Sequence, residues 1–178
     1  MIINQLIIKN IILGAAFCLI SNSLLSQSDS IVEPIIVGET SLEQLLSIDN
    51  FRTEFEMYYS QYQLDTEQLE KITTLFSDYQ NQHFHIVAIV GSWCGDTKEQ
   101  LPILLKILSA TALKDVEITY IAVNRDKKAG QKDVTEYAVE RIPIFLFYAN
   151  EQLLGKIVET PRQSMEKDII EIFRSMEN

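Results

Sequence analysis

The sequence predicts an α/β fold: a central mixed sheet flanked by helices, with a helical extension in front of it. Three observations carry this expectation. From His83 onward the apolar patterning switches between strand and helix periods, in the order strand, helix, strand, helix, strand, strand, helix. The opening strand–helix–strand passage implies a parallel pair joined by a right-handed crossover. The last two strands are separated only by Asn150-Glu151, which makes them an antiparallel hairpin. Helices are expected on both faces of the sheet.

The bulk composition sets the class. The chain has 178 residues, 47% hydrophobic and 22% charged, which suits one ordinary globular domain with modest extensions. The formal net charge is -10. That balance argues against nucleic acid as a partner, since phosphate-backbone binding needs clustered Lys and Arg. The two cysteines are Cys18 and Cys94, and the two histidines are His83 and His85. They match no usual metal-ligand spacing, so neither a metal nor another cofactor is implied.

Residues 1–26 read as a secretory signal peptide. Lys9 precedes the uncharged apolar run Ile11–Ile20, and Ser21-Asn22-Ser23 follows it. Cleavage after Ser23 or Ser26 would place the mature chain in a secreted or periplasmic setting, with no stable membrane span. The alternative is a membrane anchor formed by an uncleaved leader. The run falls short of the roughly 20 apolar residues of a spanning helix, which favours cleavage. Cys18 lies in the leader, so the mature chain would carry a single thiol.

Residues 27–80 form the expected helical extension, and 81–178 the α/β domain. Gln27–Glu33 is polar, and Pro34–Gly38 is a short strand candidate ending at the glycine. Phe51, Phe55, Tyr58, Tyr59 and Tyr62 recur at helical spacing, as do Leu69, Ile72, Leu75, Phe76 and Tyr79. Asp65 and Gln68 form a capping pair for the second of these helices. His83–Val90 is a short apolar run fit for a buried strand, and Gly91–Asp96 is a turn. Thr97–Ser109 reads as a helix with Leu101, Leu104, Leu105 and Leu108 on one face and Pro102 as a kink. Val116–Val123 is the second strand, followed by a charged loop, Asn124–Gly130, and a short helix at Lys132–Val139. Ile144–Tyr148 and Gln152–Val158 are the hairpin strands. A closing helix begins at Pro161, capped by Thr160 with Gln163 as the returning partner. Its buried face is Met165, Ile169, Ile172, Phe173 and Met176.

The chemistry centres on Cys94. It follows a strand and immediately precedes a helix, where unpaired backbone N–H groups carry partial positive charge and stabilise a thiolate. A cysteine elsewhere is most often a small buried hydrophobe. This one stands in the turn Gly91-Ser92-Trp93-Cys94-Gly95-Asp96 rather than within an apolar run. Thr97, three residues on, is within reach of the sulfur on the first helical turn. Asp96 brings negative charge that works against a thiolate, and Trp93 shields one side. His83 and His85 lie at the far start of the strand, about 30 Å of extended chain away, and are read as sheet-edge residues.

Together these residues resemble a known family. Trp93-Cys94-Gly95-Asp96-Thr97 resembles the active-site loop of thioredoxins, in the branch that carries Trp-Cys-Gly-Asp. Pro102 stands where thioredoxins carry a proline in this helix, Ile142-Pro143 is similar to the family's cis-proline turn, and Gly155 fits the last strand. The resemblance spans about Gln82 to Asn178 and implies the thioredoxin fold, with Ile142 and Pro143 binding the substrate backbone beside the reactive sulfur. Two departures stand out. Thr97 replaces the family's second cysteine, and Ala88 replaces the buried acid six residues before the nucleophile.

Two functions of different class follow from this. The first is a monothiol thiol-disulfide oxidoreductase or isomerase-like exchanger. Its substrates would be protein disulfides or small-thiol mixed disulfides, and an external thiol or redox partner would complete the cycle. The second is a non-catalytic thioredoxin-fold module that holds extended polypeptides, in the manner of a chaperone.

Overall fold

The computed structural model describes residues 34–77, 82–114 and 116–175. The leader, the polar run after it, Tyr79 and Met176 lie outside these residues. The described elements are β1 (Gly38–Thr40), α1 (Leu42–Leu46), α2 (Asp49–Gln61), α3 (Thr66–Ser77), β2 (Phe84–Val90), α4 (Gly95–Ser109), β3 (Glu117–Ala122), β4 (Ile144–Ala149), β5 (Gln152–Val158) and α5 (Met165–Arg174). Among the described residues, no helix is long and apolar enough to cross a membrane.

The five strands form one mixed sheet in the order β1-β3-β2-β4-β5. β2 and β3 run parallel, and every other neighbouring pair is antiparallel. The β4–β5 hairpin turns on Asn150 and Glu151, both at positive φ (45° and 68°), the backbone that suits a two-residue hairpin turn. Asn150 is further fixed by the start of β2. Its amide N–H donates to the His83 carbonyl, and its side-chain oxygen accepts the His83 N–H, both at 2.9 Å.

The alternation along β2 divides the molecule into two cores. Ile86, Ala88 and Val90 join Phe145, Phe147 and Ile157 beneath the helices, where Leu45, Phe51, Phe55, Ile72, Leu104, Ile107 and Phe173 complete the larger core. Val87 and Ile89 point the other way, into a smaller cluster with Ile121, Val123, Ala129, Ile142 and Ile144. α2 packs on α4 and α3 on α5, so the helices before β2 share the core of the strands and helices after it. Phe76, Phe84 and Phe173 meet edge to face, with centroids 4.3–5.5 Å apart, a favoured geometry for aromatic pairs.

The structure moves several expected boundaries. The first strand begins at Gly38 rather than ending there, because Ile36 donates its N–H to the Ser92 hydroxyl (3.2 Å) and not to a strand. α4 begins at Gly95, with Cys94 as its cap residue, and continues across the buried Pro102 to Ser109. The helix expected at 132–139 is a single 3-10 turn, Thr135–Tyr137. Asp133 accepts both the N–H and the hydroxyl of Thr135 (2.9 and 2.7 Å). Ala138, at φ 47°, then turns the chain out of any helical path. The smaller core is therefore covered by irregular chain rather than by a full helix. α5 begins at Met165 under a Ser164 cap, not at Pro161. The buried Asp168 carboxylate accepts the N–H groups of Arg162 and Gln163 (2.6 and 3.2 Å), which holds residues 161–163 in a loop. Asp65 caps α3 as its position suggests, accepting the N–H groups of Glu67 and Gln68 (3.1 and 3.2 Å).

Candidate active site

The site is built where β2 ends and α4 begins. Val90 is the last strand residue, and the next four close a turn in which the Cys94 N–H donates to the Gly91 carbonyl at 2.9 Å. Cys94 then takes extended backbone (φ -92°, ψ 124°) as the cap residue of α4. Its carbonyl accepts the Lys98 N–H at 3.2 Å. The half-buried sulfur thus lies at the helix start, beside N–H groups that have no partner within the helix.

Opposite the sulfur runs the connection into β4. The Ile142–Pro143 peptide bond is cis, as the family resemblance implies. The Cys94 thiol donates to the Ile142 carbonyl at 3.6 Å, across 48 residues of sequence. Pro143 is held from the far side, since its carbonyl accepts the Glu159 N–H at 2.8 Å. Glu159 in turn pairs with the exposed Arg141 at 2.7 Å.

Close approach explains Gly91. A Cβ there would lie 2.6 Å from the Ile142 side chain and 3.1 Å from the Trp93 ring, so the missing side chain lets the two halves of the site touch. Thr97 is fully buried, and its hydroxyl oxygen accepts the Gly91 N–H at 3.2 Å. Its bond in the structure is therefore to the strand end, which it ties to the first turn of α4. Asp96 is exposed on that same turn.

Trp93 is anchored by its indole N–H, which donates to the carbonyl of Val123, the residue just after β3 (3.0 Å). Two cations lie over its ring: Arg125 at 4.7 Å and Lys127 at 4.8 Å from the centroid. The structure brings Trp93, Cys94, Thr97, Ile142 and Pro143 into one patch and leaves the histidines out of it. His83 is exposed, and His85 stacks on Tyr148 with centroids 4.6 Å apart. Among the described residues, no cluster of His, Cys, Asp or Glu is placed to hold a metal ion.

Other members of the site are not marked by the sequence. Ser92 is buried and receives the Ile36 N–H, which ties the segment before β1 to the cysteine turn. Lys98, one turn beyond Cys94, is buried and pairs with Glu54 of α2 at 2.8 Å. Asn50 completes that cluster, with its amide oxygen toward Lys98 and its nitrogen toward Glu54. The signal for Arg125 and Lys127 was a charged loop in the sequence, but nothing local tied it to the tryptophan.

Two solved structures share this fold. One is a protein of unknown function from Pseudomonas aeruginosa, 17% identical with a TM-score of 0.57. The other is an HIV epitope scaffold, 16% identical with a TM-score of 0.55. Each match covers 80% of this chain and 93% of the other, and at such identity the likeness is one of fold. No curated protein matches the sequence. A family model described as thioredoxin matches residues 40–172, from β1 into α5, and this chain belongs to the thioredoxin family.

Proposed function

We propose that this protein is a monothiol exchanger acting on disulfides through Cys94, outside the cytoplasm and after removal of a leader ending near Ser26. The observation that carries the reading is the half-buried Cys94 sulfur at the start of α4, 3.6 Å from the Ile142 carbonyl at the turn into β4. An attacking thiolate there faces an incoming disulfide with backbone N–H groups behind it and Pro143 alongside. Thr97 stands where dithiol members carry their second cysteine, so the resolving thiol comes from outside.

The steps balance without a net oxidant. The Cys94 thiol gives its proton to solvent and attacks one sulfur of a disulfide. A Cys94–substrate disulfide forms, the other sulfur leaves as a thiolate, and that thiolate takes up a proton. An external thiolate then attacks the substrate sulfur of the mixed disulfide and releases Cys94. The net change exchanges one thiol for another on the substrate.

The test uses the leader-free chain and an uncharged probe, bis(2-hydroxyethyl) disulfide, with adduct formation followed by intact mass. The expected result is an adduct on Cys94 that forms measurably faster than on the urea-unfolded chain, as a sulfur positioned for attack by the fold requires. Adding a small thiol should reverse it, and Cys94→Ser should gain no mass. Equal rates in folded and unfolded chains would defeat the proposal. Peptide binding that survives Cys94→Ser would then favour the non-catalytic module.

A further inference from the structure

The cations around Trp93 have a role that the exchange reaction itself does not require. We propose that Arg125 and Lys127 select disulfides that carry a carboxylate beside the sulfur attacked by Cys94. The proposal rests on the reading of Cys94 as an exchanging thiol and names the substrate chemistry of that site.

The local charge runs against the rest of the chain. Acidic residues outnumber basic ones by 25 to 15, yet Arg125, Lys127 and Lys128 crowd one loop against Asp126 alone. The pairing pattern adds a second observation. Lys132 and Arg141 nearby are held by Glu39 and Glu159. No such carboxylate partner occupies Arg125, Lys127 or Lys128 among the described residues. Two of these free cations rest on the indole of the residue next to the nucleophile.

The loop is shaped to hold them there. Asn124 accepts the N–H groups of Asp126 and Lys128 on its side-chain oxygen (3.0 and 2.9 Å). It also donates its own N–H to the Lys128 carbonyl at 3.0 Å. Lys127 sits at the tip, at φ 63°. Trp93 fixes the other side through its bond to Val123. Lys127, Lys128 and Lys132 also line an open cleft of about 390 Å³ with Gly130, Asp133 and Val134, which leaves room for a charged flank. Trp93 adjoins Cys94 in the same turn, so cations on its ring belong to the surface that a disulfide bound at Cys94 would meet. The acids nearby are Asp96, Asp126 and Asp133, all exposed, and Glu159, which is neutralised by Arg141. Of these charges, Arg125 and Lys127 are the ones that rest on the indole beside Cys94.

Three small disulfides of similar reach test this: 3,3′-dithiodipropionate, bis(2-hydroxyethyl) disulfide and cystamine. Each rate of adduct formation on the leader-free chain is divided by the rate on the urea-unfolded chain, which removes the intrinsic reactivity of the probe. The corrected rate should fall in the order anionic, neutral, cationic, with about tenfold between the ends at low salt, the lower range of electrostatic steering. The spread should collapse in about 1 M salt, where screening acts within a few ångströms. Arg125→Gln/Lys127→Gln should flatten the series, bringing the corrected rates of the anionic and cationic probes together. A flat series in the parent chain, or one untouched by the double substitution, would overturn the proposal. A neutral probe that reacts no faster than on unfolded chain would instead remove the exchange reading beneath it. Peptide disulfides with Glu or Lys flanks extend the test to polypeptides. Preference for the Glu flank supports the proposal there, and equal rates for the two flanks count against it.

Discussion

Thr97 lies fully buried on the first turn of α4, three residues after Cys94. Its spacing from Cys94 suggests a hydroxyl directed at the sulfur, whereas its oxygen receives the Gly91 N–H at 3.2 Å inside the fold. The residue joins the strand end to the helix start, and Cys94 lies on the turn between them. Thr97→Val keeps the shape but leaves the buried Gly91 N–H without an acceptor, which should cost about 1–3 kcal/mol. Urea unfolding of Thr97→Val and Thr97→Ser checks this. Thr97→Ser should retain most of the stability, and a Val variant as stable as the parent would remove the role assigned here. Trp93, Cys94, Ile142 and Pro143 were legible because their signals are local: a turn composition, a strand before it and an Ile-Pro pair. The Ser92–Ile36, Trp93–Arg125 and Lys98–Glu54 contacts were not, because each joins residues 32 to 56 positions apart with no local pattern to announce it.

Among the elements, α4 carries the site, and α2 holds α4 in place. Lys98 reaches back to Glu54 and Asn50. Lys106 caps the far end of α2 by donating to the carbonyls of Tyr59 and Tyr62 (2.6 and 2.8 Å). Those carbonyls belong to the helix end, which has no partners of its own. Lys98→Met would strip the half-buried Glu54 carboxylate of the buried cation it pairs with and should destabilise the fold by about 1 kcal/mol. Glu54→Leu added to it should return part of that loss, since removing both partners avoids a stranded charge. A denaturant series at unchanged m-value reads both outcomes, and a single variant at parental stability would refute the coupling. The strands and long helices were legible because their apolar periods are strong. Element ends were harder to place. Thr160-Pro161 has the composition of a helix start, yet the Asp168 carboxylate captures the two N–H groups that follow and delays the helix to Met165. Ile35 and Val37 resemble a strand but are 40% exposed, and the pairing falls on Gly38–Thr40 instead.

At the scale of the molecule, two tyrosines give the fold an alkaline limit. Burial pushes the Tyr120 hydroxyl up to about 12. Burial, and then the Glu166 carboxylate that its hydroxyl bonds at 2.8 Å, raises Tyr62 as well. A proton held more tightly in the folded chain than in the unfolded one stabilises the fold. That contribution is fully present below the ordinary tyrosine value of about 10 and is lost as pH rises toward about 12. Thermal midpoints measured from pH 8 to 12 should therefore fall in the upper part of the range. Tyr120→Phe should fall less steeply, and an identical slope in that variant would contradict the assignment. The smallest strand bears on how copies of this chain meet at high concentration. β1 pairs only Gly38–Thr40 with β3, yet it covers Tyr120–Ala122, half of the row of backbone groups that β3 would otherwise offer to a foreign strand. Being three residues long, it presents almost no row of its own. At the opposite border, β5 carries Lys156, and the pairing of β4 with β5 slips at Phe147/Tyr148. Both borders of the sheet are thus poor templates for runaway strand addition, and the chain can present an open reactive face without presenting a sticky edge.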